Sequence, residues 1–171
     1  SMKILVLLLL TCACANARTW NDSIFDARSG QEISRTELVS RLGTHVFVGE
    51  KHYNVAVQNA EAQLLNDWVG TKGLVGRFSI GWEFLAASER TKTDLLWQSV
   101  LAGQILPQDF IKKTQGKSGA EYEPLFEAAR ALGGQVVGLN LTRAEKSPVS
   151  QSGLSAADPK LIPTGYQEGS L

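Results

Sequence analysis

Thr44-His45-Val46-Phe47-Val48-Gly49-Glu50-Lys51-His52-Tyr53-Asn54 is the stretch whose reading decides the fold. Val46, Phe47 and Val48 read as a short buried strand, and Gly49 frees the backbone to turn where Glu50 and His52 emerge. Asn54 is placed to cap a helix in which Val57, Ala60, Leu64, Leu65 and Trp68 fall near one face. The polar pair is therefore expected at a strand-to-helix junction. In an open α/β sheet, ligands bind at the carboxyl ends of the strands.

Upstream, Ser23-Ile24-Phe25-Asp26 reads as a short strand with a turn at Ser29-Gly30. Ser34 and Glu37 have capping-box spacing before a helix that Gly43 closes. Downstream of the Gly70–Gly73 loop, Leu74 to Phe84 is a second strand with Glu83 near its end. A strand, a helix and a strand in that order predict a right-handed crossover with parallel strands, which brings Glu83 beside Glu50 and His52. Helices follow over Thr91–Leu101, from Pro107, and over Glu121–Leu132; Lys112–Gly119 is a loop. Gln135–Asn140 is a third buried strand, with Arg143 just beyond it on the same edge as Glu50. The predicted architecture is a single α/β domain, a mainly parallel sheet with helices on both faces. Its boundaries are 1–17 for a leader, 18–143 for the domain and 144–171 for a loop-rich tail.

Composition excludes one class of partner. Lys plus Arg equals Asp plus Glu, 17 against 17, so no net field draws the chain to nucleic acid. Lys3 precedes an apolar run, Ile4–Leu10, too short to span a bilayer, and small residues follow in two A-x-A patterns, Ala13-Cys14-Ala15 and Ala15-Asn16-Ala17. This reads as a signal peptide cleaved after Ala17, which removes both cysteines, Cys12 and Cys14. The rival reading is a lipoprotein attached to the membrane through lipidated Cys14, with Thr11 where Leu is expected. Both readings export the protein, to the periplasm or to an outer-membrane anchor.

The order of these features resembles the ChaN-like family, bacterial exported haem-binding proteins within a wider group of Tiki-type and erythromycin-esterase-type proteins. The resemblance runs from about Ser23 to Arg143. It rests on Ile24-Phe25-Asp26, on Val46-Phe47-Val48-Gly49-Glu50-Lys51-His52 and on Gly81-Trp82-Glu83-Phe84. Leu101-Ala102-Gly103-Gln104, Tyr122-Glu123-Pro124-Leu125-Phe126 and Val136-Val137-Gly138-Leu139-Asn140-Leu141-Thr142-Arg143 complete it. It implies haem binding at the cell envelope in iron acquisition, alongside haem-uptake machinery. It also implies tyrosinate ligation and cofacial haems across a homodimer. The chain departs from the family pattern in two places: Tyr53 stands where Asp commonly follows the His, and the sequence ends at Leu171 where members continue. A truncated relative that binds nothing is the reading this second departure raises.

Three chemistries fit Glu50, His52 and Glu83. They offer the N and O donors that zinc or manganese accept, they form a base with an orienting carboxylate for a metal-dependent hydrolase, or they make the polar wall of a haem pocket. The bland alternative is a carboxylate and an imidazole capping the next helix. His45 falls at the other end of the strand, so the chain lacks the ligands for a closed zinc site. Tyr is an accepted axial donor to haem iron, and Tyr53, Tyr122 and Tyr166 are the candidates. Asn140 and Arg143 complete the predicted site, Arg143 as a partner for a propionate, with Lys51 a second cation. Trp20, Trp68, Trp82 and Trp97 are read mainly as packing.

Overall fold

A computed structural model describes residues 23–115 and 119–162, so the segment expected to be a leader, with Cys12 and Cys14, and also Trp20 and Tyr166 lie outside the described residues. The chain forms two compact units, one running through Leu74 and including Glu121–Ala128, the other comprising Val75–Ala120 and Ala129 onward.

In the first unit, β1 (Ile24–Phe25) pairs antiparallel with β2 (Glu32–Ile33), Ile24 opposite Ile33. Helix α1 (Arg35–Arg41) starts at Ser34, whose hydroxyl accepts the Glu37 N–H at 3.1 Å, while the Glu37 carboxylate turns to Arg41. Helix α2 (Val55–Lys72) is capped by Asn54, whose Oδ1 accepts the N–H groups of Ala56 and Val57 at 3.0 and 3.2 Å. It ends at Gly73 in the left-handed conformation, as a helix C-terminus favours. Arg35 ties the two helices together through Asp67 and Gln63.

The buried residues of α2 are Gln58, Ala62 and Val69, not the face of Val57, Leu64 and Leu65 expected from the sequence. Apolar residues lie on several sides of this helix, so packing, not pattern, chose its inward face.

In the second unit, β3 (Ser79–Ala86) and β4 (Gln135–Asn140) form a parallel two-stranded sheet, with Ser79 opposite Gln135 and Trp82 opposite Gly138. Helices α3 (Arg90–Leu101) and α4 (Pro107–Gln115) pack on it, α3 against β4 and α4 against β3. Trp97 anchors this core. It is fully buried, donates its indole N–H to the Gly134 carbonyl at 2.8 Å, and meets Phe110 edge-on at 5.2 Å. Helix α5 (Glu123–Ala131) is divided between the two units.

The register breaks between Trp82 and Ala86, where Glu83, Phe84 and Leu85 stand against Leu139 alone. This bulge explains Gly138: a Cβ there would lie 2.6 Å from the Ala86 carbonyl oxygen and 2.7 Å from that of Leu85.

Three expectations are corrected. Val46–Val48 is not a strand; Phe47 is 96% exposed and Val48 half exposed. An apolar triplet becomes a strand only where a neighbour takes its ladder hydrogen bonds, and β3 and β4 pair with each other instead. Strand β3 starts at Ser79 and not Leu74, because Gly76 turns at φ 70° and its N–H bonds the Leu132 carbonyl. The residues after Thr142 are not loop at first: α6 (Arg143–Ser152) begins with a complete capping box between Thr142 and Glu145.

Candidate functional site

The residues from Gly49 to Asn54 carry the polar chemistry of the first unit. Gly49 does not supply the turn expected of it, since its φ is not positive and nothing lies near its missing Cβ. The unusual backbone falls at Tyr53, at φ 58°, the sole non-glycine residue with positive φ among the described residues. That conformation disfavours a side chain with a Cβ, and its occupation by a bulky aromatic points to a constraint.

The constraint is visible. The Tyr53 N–H donates to the hydroxyl of Tyr122 at 3.2 Å, and the two rings meet edge to face with centroids 5.7 Å apart. Tyr122, in the short turn before α5, is 1% exposed, whereas Tyr53 is 49% exposed. Burial pushes the Tyr122 phenol up to about 12; the Tyr53 N–H acts against this and the Glu50 charge adds to it.

Glu50 is the hub of the polar side. One carboxylate oxygen lies 2.8 Å from His52 Nδ1, and the other accepts from Gln58 Nε2. The imidazole is half exposed, so Glu50 orients a ring that reaches solvent. Gln58 is completely buried, and its Oε1 has no hydrogen-bond partner. Glu61, one turn further along α2, is pushed up to about 7, by burial first and by the Glu50 charge second, against a hydrogen bond from Gln58. Gln58 and Glu61 were missed from the sequence. A glutamine and a glutamate three residues apart after an N-cap look like an ordinary solvated helix face.

Of the predicted site residues, Glu50, His52, Tyr53 and Tyr122 thus converge, although Tyr122 lies 69 positions along the chain from Tyr53. Glu83, Asn140 and Arg143 belong to the second unit. Glu83 is exposed and enters the β3 bulge instead of ending the strand. Asn140 closes β4 and accepts the Leu141 N–H at 2.9 Å, and exposed Arg143 opens α6. Among the described residues, no group of three or more His, Cys, Asp or Glu is placed to hold a metal ion.

The family model described as "Haem-binding uptake, Tiki superfamily, ChaN" matches residues 41–166, which include the whole Glu50 to Tyr122 cluster. The chain belongs to this ChaN family. A solved structure of ChaN from Campylobacter jejuni, described as showing cofacial heme binding, is 17% identical to the chain with a TM-score of 0.62. The match covers 76% of this chain and 52% of that one, so the chain spans about half the length of this ChaN relative. At that identity the likeness shows a shared fold. No curated protein matches the sequence.

Proposed function

We propose that the protein binds haem in the loop Glu50-Lys51-His52-Tyr53 and serves haem or iron acquisition at a bacterial cell envelope. The observation that carries this reading is Tyr53, half exposed and held in a strained backbone beside an oriented imidazole, in a chain of the ChaN family. The donor set fits the group. Haem supplies an iron that takes an axial oxygen or nitrogen donor, and the loop carries one residue of each kind, Tyr53 and His52. Exposed Phe47, Val48 and Val55 in the same unit are apolar surface of the kind a porphyrin face covers, and exposed Lys51 is a cation for a propionate. Glu50 orients His52 and Gln58 fixes Glu50, so the loop presents its donors pre-set.

Export by the leader, through cleavage after Ala17 or lipidation of Cys14, is the envelope part of this proposal. Pairing into a homodimer and delivery to haem-uptake machinery belong to it as well. Titrating haemin into the purified protein tests the binding: a saturable Soret shift is the expected outcome, and a linear response in a folded sample refutes it.

The oriented imidazole favours a second reading. A His held by a carboxylate through Nδ1 is the arrangement of a general base, so the same loop suits a hydrolase. Ester hydrolysis abolished by His52→Ala, with haemin binding absent, is the result that would select it.

A further inference from the structure

Gln58 is the one polar side chain of α2 that is completely buried. Its amide nitrogen carries two hydrogens, and two carboxylates receive them: Glu50, from the loop before the helix, and Glu61, one turn further on. Its oxygen receives nothing. An amide shut away from water and bonded at its nitrogen alone has its plane set by those two carboxylates. Glu50 also lies 2.8 Å from His52 Nδ1, so it is shared between the loop and α2.

The surroundings of Glu61 set two anions on one amide. Glu50 is the charge that acts on Glu61, and Gln58 is its donor. From α1, which packs against the same helix, the Arg35 guanidinium goes to Asp67 and Gln63. From the turn before α5, Tyr122 faces Glu50 with a phenol pushed up to about 12, which stays protonated. His52 reaches the cluster through Glu50. Burial and the Glu50 charge push the Glu61 carboxyl up to about 7, where it exchanges its proton within the ordinary range of pH.

We infer that Glu61, Gln58 and Glu50 form a proton-linked latch on the loop of residues 50–53. With Glu61 a neutral acid, the Gln58 amide serves Glu50, which is held against α2 in the position that orients His52. With Glu61 ionised, the second anion draws the amide to itself and repels Glu50, and the loop loses that anchor. The step passes one proton from the Glu61 carboxyl to solvent and changes no other bond of the chain. A ligand that needs the loop pre-set is then bound more tightly as pH falls and Glu61 takes up its proton. The latch belongs to the ligand-free loop; its effect on haem affinity rests on the haem reading above.

The full chain tests this first without haemin. The two side-chain amide protons of Gln58 should titrate together with a midpoint at about 7, and the Glu50 carboxyl carbon should show a step at the same pH. Glu61→Gln, which stays neutral, should leave both signals flat from pH 6 to 8. Amide exchange over residues 50–53, corrected for the intrinsic rate, should be about tenfold faster at pH 8 than at pH 6, the factor carried by one hydrogen bond to a charged group. Glu61→Gln should show the slow rate at both pH values. Gln58→Met, which fills the same space without the amide, should show the fast rate at both. Gln58 resonances that do not move between pH 6 and 8, or that move equally in Glu61→Gln, overturn the latch. So does a Gln58→Met chain that keeps the wild-type difference in exchange. With haemin, the ratio of wild-type to Glu61→Gln affinity should fall about tenfold from pH 6 to 8, and a constant ratio overturns the link to binding. If haemin gives no saturable Soret shift at either pH, the haem reading fails and that link goes with it, while the Gln58 resonances still decide the latch.

Discussion

Tyr53 and Glu61 are two of the described residues at which this protein holds something an isolated chain would not. At Tyr53 it is backbone strain: a non-glycine residue at φ 58° costs roughly 1 kcal/mol or more. Tyr53→Gly should therefore raise stability by about 1 kcal/mol in urea unfolding while removing the phenol. A destabilised variant would mean that ring packing on Tyr122 outweighs the strain. At Glu61 it is a proton. Its carboxyl is pushed from the ordinary 4.5 to about 7, so between those values the folded chain binds a proton that the unfolded chain has lost. Stability from this group is present below pH 4.5 and is lost as pH rises through 7. Thermal melts should fall in midpoint from pH 5 to 8, and Glu61→Gln should flatten that part of the profile. Glu50→Gln should lower the Glu61 midpoint, read by carboxyl carbon NMR, because it removes the neighbouring charge.

Two elements depend on features whose removal is specific. The β3–β4 bulge brings backbone oxygens of Leu85 and Ala86 to 2.7 and 2.6 Å from where a Cβ on Gly138 would sit, and backbone yields far less than a flexible side-chain end. Gly138→Ala should cost about 2 kcal/mol, with the loss of amide protection concentrated in β3 and β4. Helix α6 depends on its entry. The Thr142 hydroxyl accepts the Glu145 N–H at 3.2 Å and the Glu145 carboxylate accepts the Thr142 N–H at 2.6 Å, while also accepting from Ser88 at 3.1 Å. The same bonds hold the Glu145 carboxyl below its ordinary pKa. Thr142→Ala should cost about 1 kcal/mol and lower helicity over Arg143–Ser152, seen as loss of amide protection there. Pro148 lies inside this helix and removes one of its internal hydrogen bonds, which raises its reliance on the cap.

For the molecule as a whole, the helices α1 to α5 and the strands β1, β3 and β4 were legible in the sequence, each from a local cause. Asn54 and Ser34 cap, Gly73 ends a helix, Pro107 opens one, and the β-branched run at Val136-Val137 makes a strand. The α/β class and the family followed from that order, and so did the pairing of Glu50 with His52, two residues apart, whereas the parallel pair joins β3 to β4 and not to Val46–Val48 as the order suggested. The Thr142–Glu145 box is equally local, but the Ser, Gly and Pro around it have the composition of a loop. What the sequence could not supply were the long-range choices. Val46–Val48 has the composition of a strand, but a strand exists only where another strand accepts its hydrogen bonds, and that depends on chain far away. The inward face of α2 had to be selected by packing, which buried Gln58 and set Glu61 near Glu50. The meeting of Tyr53 and Tyr122 across 69 residues leaves no periodic trace, because a contact between two single side chains is made by the tertiary structure alone. Sequence by itself determined most of the elements and the family; tertiary structure decided whether Val46–Val48 is a strand, which tyrosine is buried, which is exposed, and where the proton and the strain are kept, since burial and long-range contact are properties of the folded chain.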